Sequence, residues 1–538
     1  MTIASDIQID RAKIERDAET AAFAERVRVN QQKLSAELKS HYDFIVCGSG
    51  SSGSVIARRL AENPEISVLL LEAGGSDETP SVTEATQWRT NLGSERAWNF
   101  QAQPEAHLNG RSMPMNMGKV LGGGSSINAM YWLRGHKTDW DFFASEADDS
   151  AWNYESVKSI YQRIEDWGGE PDIEHRGTGG PVFVPPTHLQ PMGAAMCESA
   201  RSMGIPTFEN LNGRLIEAEG GCSASELRIR DGRRLSIFRS YTFPYMDRPN
   251  LTVLTHAMVT RLIMDGKRAS GVEIAYSSKV HRIGAGLEVV LSLGAINTPK
   301  VLMQSGIGDR SELNRLGIPL VQHLPGVGQS FQDHFAFASC IWECKQPSEE
   351  PGISQALCFW KSDLTLETPD IQVYQGINLT SANSMTLVPS VVRPRSRGHL
   401  RLTGPNPLDP VEIRANILAD PDDLKAMITA IDLCRELGNS GVFESFLERE
   451  VTPGSLKGPE LEQVLRNSVS TIWHQSCTAK MGRDFMSVVD GHLRVYGIDN
   501  LRIADGSIMP RISTGNTMAP CVVIGERCAE ILKAHHRI

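Results

Sequence analysis

The stretch from Tyr42 to Glu72 constrains this chain more than any other. An apolar run, Tyr42 to Cys47, leads into Gly48-Ser49-Gly50-Ser51-Ser52-Gly53. Helix formers follow from Ser54 to Ala61. A second apolar run, Val68 to Leu71, ends at Glu72, nineteen residues beyond Gly53. A lone glycine-rich turn carries little information. Strand, glycine turn, helix, strand and acid in that order predict a βαβ dinucleotide-binding unit. Gly48 and Gly50 let the backbone approach a pyrophosphate, and Gly53 lets helix and strand pack closely. The helix N-terminus offers free N–H groups to the phosphates. Ser52 and Ala73 are assigned to the same site, and Glu72 is expected to accept hydrogen bonds from the adenosine ribose. An acid there repels a 2′-phosphate and disfavours NADP. NAD and FAD both remain open at this point.

At 538 residues the chain can bury one large core or divide into two domains that share an active site. A formal charge of −10 argues against nucleic acid as the partner. The short basic cluster Arg393, Arg395, Arg397 is interrupted by Pro394 and Gly398 and reads as a solvated loop. Ten cysteines form no CxxC pair and no zinc-spaced set with histidine, so reduced thiols and no metal site are expected. No apolar run reaches the roughly 20 residues of a membrane span. The N-terminus lacks the order of a signal peptide, and a cytoplasmic protein is expected.

Ile9 to Ser40 is charged and alanine-rich, with Ala22, Phe23, Val27 and Leu34 spaced as one apolar helical stripe, which predicts a helix docked on the main body. Leu251 to Leu254, Val259 to Met264 and Val272 to Tyr276 alternate as strands do, with Asp265-Gly266 as a turn. After the apolar run Leu287 to Leu293, Thr298-Pro299 predicts a helix start, threonine capping and proline in the first turn. From Phe335 to Glu460 strand-like stretches prevail, with one amphipathic helix over Asp422 to Leu437.

Four further segments carry a resemblance. Gly118-Lys119-Val120-Leu121-Gly122-Gly123-Gly124-Ser125-Ser126-Ile127-Asn128, continuing through Trp132, Gly135 and Asp141, resembles the first signature of the glucose–methanol–choline (GMC) oxidoreductases. Gly294 to Gly308 matches the second. Gly326-Val327-Gly328-Gln329 with Gln332-Asp333-His334 is similar to the family's turn between domains. The tail from Trp473-His474 through Ala504-Asp505-Gly506-Ser507 to Asn516-Thr517 looks like its catalytic, flavin-closing region. With the glycine turn these five motifs span positions 48 to 517 in order.

The resemblance implies FAD, with Gly118, Val120, Leu121, Gly122, Gly123, Ser125, Asn128 and Ala129 along the flavin and Asn128 near its reactive edge. Trp473, Asp505, Gly506, Asn516 and Thr517 join them, with Asp505 and Gly506 at the ribityl or pyrophosphate part. Val259 meets the adenine through its backbone. Ile127 stands where some relatives carry a flavin-linked histidine, so non-covalent FAD is expected. His474 is the implied catalytic base, since an imidazole titrates near working pH. Asn516, where the family has histidine or asparagine, orients the substrate oxygen but cannot titrate. Asp333 and His334 are assigned to the crossing between domains.

The expected fold is α/β, α+β overall: a Rossmann-like FAD domain and a substrate domain on an antiparallel sheet. An N-terminal helical extension occupies 1–40. The FAD domain takes 41–165, 226–334 and 463–538, and the substrate domain 166–225 and 335–462. The expected reaction oxidises a primary alcohol to the aldehyde, with oxygen or another acceptor taking the electrons. A hydroxynitrile-lyase-like enzyme that keeps FAD without net redox chemistry is the alternative. A homo-oligomer is left open. The aromatic residues Phe337, Trp342, Phe359, Trp360 and Tyr374 read as core, and Glu343, Glu349, Glu350 and Glu367 are the acids available should the substrate be a choline-like cation.

Overall fold

The computed structural model describes residues 3–337, 340–347, 355–378 and 383–538, with the backbone alone for 3–18. Strand His41–Cys47 is the centre of the first sheet. It lies parallel to Val68–Leu71 on one side (Phe44 opposite Val68, Cys47 opposite Leu71) and to the end of Lys279–Leu291 on the other. Leu251–Leu254 extends the sheet beyond Val68–Leu71, and Leu501–Ile503 pairs in parallel with Val289 to Leu291. The continuous apolar runs follow from this arrangement, because strands covered on both faces have no side to leave polar. Residues 44–47 and 68–71 are buried at every position. The long strand also carries an antiparallel excursion, Met258–Asp265 with Arg268–Tyr276, on the side away from His41–Cys47.

A second sheet is antiparallel at every pairing. In order it holds Leu447–Thr452, Cys340–Cys344, Ser384–Val391, Ile371–Ile377, Ala356–Trp360 and Gly221–Ala224. Its central strands are buried along their whole length. Helix Pro421–Gly438 packs against Ile371–Ile377 and Ser384–Val391. That helix begins where Asp420 accepts the Asp422 amide, with proline in its first turn. Two short segments join this sheet to the rest: Phe335–Ala336 pairs antiparallel with both Ser384–Val391 and Ser470–Thr471.

The N-terminal helix spans Ile3–Ala36. Its docked stripe is Phe23, Val27, Gln31 and Leu34, with Ala22 turned to solvent. Phe23 meets Phe243 edge-on, their centroids 5.5 Å apart. Gln31 is buried at the open edge of the first sheet. Its amide donates to the carbonyls of Met246 (2.7 Å) and Leu251 (2.9 Å) and accepts the Val253 amide (2.9 Å). One side chain thus supplies the edge strand with the partners that a neighbouring strand would give. Gln31→Ala is expected to cost about 2 kcal/mol, the penalty of leaving buried backbone groups unpaired, read as a lowered denaturation midpoint with an unchanged m-value.

Three expectations are corrected. The helix after Leu287 to Leu293 starts at Gly294 and runs to Gln304, so Pro299 lies inside it. The Ala295 carbonyl, which Pro299 cannot donate to, instead accepts the Thr478 hydroxyl at 2.6 Å. Thr298 does not cap the helix from outside: its hydroxyl donates to Asp505 at 2.6 Å. Arg393 is not solvated with Arg395 and Arg397; it turns inward to the Thr514 hydroxyl (2.7 Å) and to the buried carboxylate of Asp139 (2.7 Å), which offsets its desolvation. None of the ten cysteines is disulfide-bonded, and eight are buried. No helix among the described residues is long and apolar enough to cross a membrane.

Candidate active site

The glycine turn and the loop Gly118 to Asn128 close on one another. A Cβ on Gly48 would stand 2.3 Å from the Ser292 carbonyl oxygen, and one on Gly53 would stand 1.9 Å from the Gly48 carbonyl oxygen. Gly48 also needs its φ of +98°. The loop is pinned to this unit by Gly122 N–H to Ser49 Oγ (3.1 Å) and Leu121 N–H to the Gly75 carbonyl (3.0 Å). By contrast, a Cβ on Gly50 or Gly124 would meet nothing within 4 Å, because both face a cavity of about 540 Å³. The cavity runs from Glu72 at one end to His474 and Asn516 at the other.

At the first end, Glu72 accepts from Ser49 N–H (3.1 Å), Ser49 Oγ (2.7 Å) and Gly74 N–H (2.9 Å). Burial raises its pKa, and these donors oppose the rise. Ser52 is fixed by its hydroxyl on the Cys521 carbonyl at 2.6 Å. Asp505 lies along the cavity, but its carboxylate is committed to Gly294 N–H (2.9 Å), Thr298 Oγ1 (2.6 Å) and Ser507 N–H (2.8 Å).

At the other end, Gln332 to Ala336 and Ser470 to Ser476 run side by side. Ile472 N–H donates to the His334 carbonyl (3.1 Å) and Ser476 N–H to that of Gln332 (2.9 Å). Asp333 anchors the bend: its carboxylate accepts the Thr471 hydroxyl, the His474 amide (2.7 Å) and the Gln475 side chain (3.2 Å). Trp473 is held at φ +62°, a left-handed conformation that a bulky residue takes only when its surroundings impose it. The consequence is to place the His474 ring between two partners. Its Nδ1 is 2.9 Å from His334 Nδ1, and its Nε2 is 3.2 Å from Asn516 Nδ2.

Tyr374 Oη donates to Asn516 Oδ1 at 3.3 Å, which turns the amide nitrogen toward His474. In that network His474 Nε2 is an acceptor and Nδ1–H donates to His334, a tautomer assigned from partners. His474 lines the cavity, and burial pulls its pKa down to about 3. His334 is fully buried; burial, then the neighbouring His474, depresses its pKa as well. Burial pushes Asp333 up to about 7 against the donors around it.

Most of the residues singled out in the sequence are brought together here. Gly48, Gly50, Ser52, Glu72, Ala73, Gly118, Gly123, Ser125, Asn128 and Ala129 line the cavity, as do Trp473, His474, Asp505, Gly506, Asn516 and Thr517. Gly53, Val120, Leu121 and Gly122 stand behind the lining and shape it. Val259 faces Ile274 across its strand pair and is not among the lining residues. The sequence reading missed His334, assigned there to the domain crossing and here the direct partner of His474. It also missed Tyr131 and Tyr374, which meet edge-on at 5.2 Å on the cavity wall. Alternation of side chains along Gln332 to Ala336 is the one signal that could have turned His334 toward the site. Among the described residues, Glu288, His535 and His536 bring possible metal ligands within 4.8 Å, but Arg502 already neutralises the Glu288 carboxylate at 2.8 and 3.0 Å.

Several features fit a flavin dinucleotide. The open faces of Gly50 and Gly124 admit a diphosphate and a flat ring, and Trp473 Nε1, on the lining, is a buried donor with no partner. The cavity size lies within the range of cofactor sites. The chain matches the GMC oxidoreductase family over residues 42–336 and 394–525. It is 34% identical over 536 residues to an oxygen-dependent choline dehydrogenase of Citrobacter koseri, covering 92% of this chain and 95% of the relative. It is 35% identical over 543 residues to the enzyme of that name from Escherichia coli (strain K12 / DH10B), covering 92% and 96%. Its fold superposes on pyridoxine 4-oxidase from Mesorbium loti with a TM-score of 0.86 and 29% identity, over 92% of this chain and 99% of that one. With a formate oxidase the TM-score is 0.84 at 25% identity, over 93% and 99%. Sequence and shape agree along nearly the whole length, and the chain belongs to the GMC oxidoreductase family of FAD-dependent enzymes that act on CH–OH groups.

Proposed function

We propose that this enzyme oxidises a primary alcohol to the aldehyde, with His474 as the base and Asn516 as the group that orients the alcohol oxygen. The observation that carries the reading is the His474 Nε2 lone pair at the cavity, facing Asn516 Nδ2 at 3.2 Å. An alcohol hydroxyl placed there donates its proton to Nε2 and accepts from the Asn516 amide. His334, accepting from Nδ1–H, keeps that lone pair on the cavity side. FAD, bound non-covalently since Ile127 offers no nucleophile, supplies the acceptor for the α-hydride. Gly48, Gly50 and Ser52 would hold its diphosphate, Glu72 the ribose, and the Gly118 to Ala129 loop with Asp505, Gly506 and Thr517 the remainder. Residues 41–165, 226–334 and 463–538 serve as the FAD part, and 166–225 and 335–462 as the substrate part. The disulfide-free cysteines suit a cytoplasmic setting.

The substrate end is walled by Tyr131, Tyr374, Val388, Ala336 and Ile472. Such faces suit a neutral aromatic or medium-chain alcohol. A quaternary ammonium would rest on the aromatic faces alone. Among the described lining residues the only carboxylates are Glu72 and Asp505, both engaged. Glu343 pairs with Arg449 at the surface, and Glu367 is not on the lining. Glu349 and Glu350 lie outside the described residues.

The test is anaerobic flavin absorbance with benzyl alcohol, hexanol, choline and a sugar, followed by air. Bleaching by benzyl alcohol or hexanol supports the reading, and recovery or persistence in air separates oxidase from dehydrogenase. Bleaching by choline alone would overturn the substrate class. No bleaching by any of them would favour a non-redox enzyme.

Because burial holds the His474 pKa near 3, the base stays unprotonated from pH 8 down to about pH 5. Protonation of His474 is therefore expected to cost the bleaching rate nothing over that range, and an inflection near pH 7 would report Asp333, whose carboxylate holds the His474 amide. A histidine at its ordinary value of about 6.5 would instead lose more than tenfold by pH 5.

A further inference from the structure

Two arginines lie buried with no carboxylate partner among the described residues. Arg228 is fully buried: Nη2 donates to Ser240 Oγ at 2.7 Å, while Nε and Nη1 have no partner. Arg234 is 6% exposed. Its Nε donates to the Val82 carbonyl (2.9 Å), its Nη1 to Asn128 Oδ1 (2.8 Å) and the Ser125 carbonyl (3.4 Å), and its Nη2 has no partner. Elsewhere this chain pairs its buried guanidiniums with carboxylates. Arg176 bridges Glu165 and Glu226, Arg134 meets Glu165, and Arg502 meets Glu288. Burial lowers the pKa of Arg228 to about 10 and of Arg234 to about 9, the latter also through repulsion by Arg228. Both groups stay charged at neutral pH, and an uncompensated buried charge is costly unless something supplies its counterpart.

The position of Arg234 identifies that counterpart. Of the three residues it grips, Ser125 and Asn128 line the cavity and Val82 does not. A guanidinium has no acceptor, so it can face only the oxygen of the Asn128 amide. With the Met130 amide also donating to that oxygen (3.0 Å), the Asn128 nitrogen is turned to the cavity-lining Met518, 3.1 Å from its sulfur. One buried cation therefore sets the direction of an N–H donor at the lining and stands close behind it.

We propose that Arg234, backed by Arg228, is a positioning residue that turns the Asn128 amide toward the flavin and raises the flavin's reduction potential. Its charge favours the negative charge that a flavin gains on reduction, and the cofactor is the missing counterion of the arginine pair. This rests on the reading that the flavin lies along the Gly118 to Ala129 loop.

The experiment compares wild-type holoenzyme with Arg234→Gln, Arg234→Lys and Asn128→Ala. It records the flavin-to-protein ratio, the visible spectrum, and the midpoint potential by equilibration with a reference dye. Arg234→Gln is expected to shift the midpoint potential to more negative values, and Arg234→Lys, which restores the charge, to return most of the shift. A potential equal to wild type in flavin-loaded Arg234→Gln would overturn the proposal. If Arg234→Gln does not fold, Arg228→Gln takes its place, with a smaller shift of the same sign expected and no shift overturning it. Asn128→Ala separates the two ideas: an altered flavin spectrum supports the placement of the flavin, and an unaltered one overturns that placement whatever the potentials do.

Discussion

His474→Ala is expected to lower the rate at which an alcohol bleaches the flavin by about 10³-fold, the contribution of a positioned general base, with the flavin-to-protein ratio staying at the parent value. The separation of effects follows from the contacts. The His474 side chain touches His334 and Asn516, whereas the bend that carries it is held through its backbone amide on Asp333. Alanine keeps that amide, so the loop and the cofactor cradle survive. Asn516 cannot replace the base, having no lone pair on nitrogen to protonate at working pH. His334 points its Nδ1 at the vacated ring and stays fully buried. Stopped-flow absorbance under anaerobic conditions reads the outcome. A loss smaller than tenfold would mean that another group takes the proton and would end the assignment of His474.

Gly53→Ala is expected to weaken FAD retention by on the order of 10- to 100-fold, about 1–3 kcal/mol of overpacking converted at tenfold per 1.4 kcal/mol. The added Cβ would stand 1.9 Å from the Gly48 carbonyl oxygen and 3.3 Å from Ser292 Cβ. The first distance is from the Cβ, whose place the backbone fixes, to a backbone oxygen, so no side-chain rotation relieves it. Helix Ser51–Ala61 must then move away from strand His41–Cys47, and it carries Gly50 and Ser52 away from the positions a diphosphate needs. The same helix is pressed from behind by the C-terminal helix Met518–His536, where a Cβ on Gly525 would already be 2.8 Å from the Ser52 carbonyl oxygen. Flavin content after gel filtration, with the melting temperature of the apoprotein, measures the effect. A fully yellow protein would show that the turn tolerates the methyl group and that the close approach is not required.

Features carried by neighbouring residues were legible in the sequence. The Rossmann-like unit was, because three glycines behind an apolar strand leave few other local structures. The second sheet was legible only as strand-like stretches with one amphipathic helix, because its central strands are buried on both faces and carry no solvent side to mark them. Contacts that depend on how distant segments align were not. His334 meets His474 only because two segments about 140 residues apart run alongside each other with their bend fixed on Asp333. The start of helix Gly294–Gln304 was misread because Pro299 is tolerated by a threonine hydroxyl 183 residues from the carbonyl it satisfies. Arg393 looked like a loop charge because its counterion, Asp139, lies 254 residues away. Tyr374 looked like core because it is buried, and burial does not reveal that one side of a ring borders a cavity.

The Gln31 side chain has a consequence for how molecules of this enzyme meet one another. Strand Leu251–Leu254 ends a largely parallel sheet of apolar strands, and its outer backbone groups would otherwise be a template for strand addition by a second chain. The helix that covers it cannot itself be extended by hydrogen bonding, and it presents its charged face outward. The N-terminal segment therefore acts as a stopper against edge-to-edge growth, and cleaving it is expected to uncover an adhesive strand edge without touching a residue of the cavity.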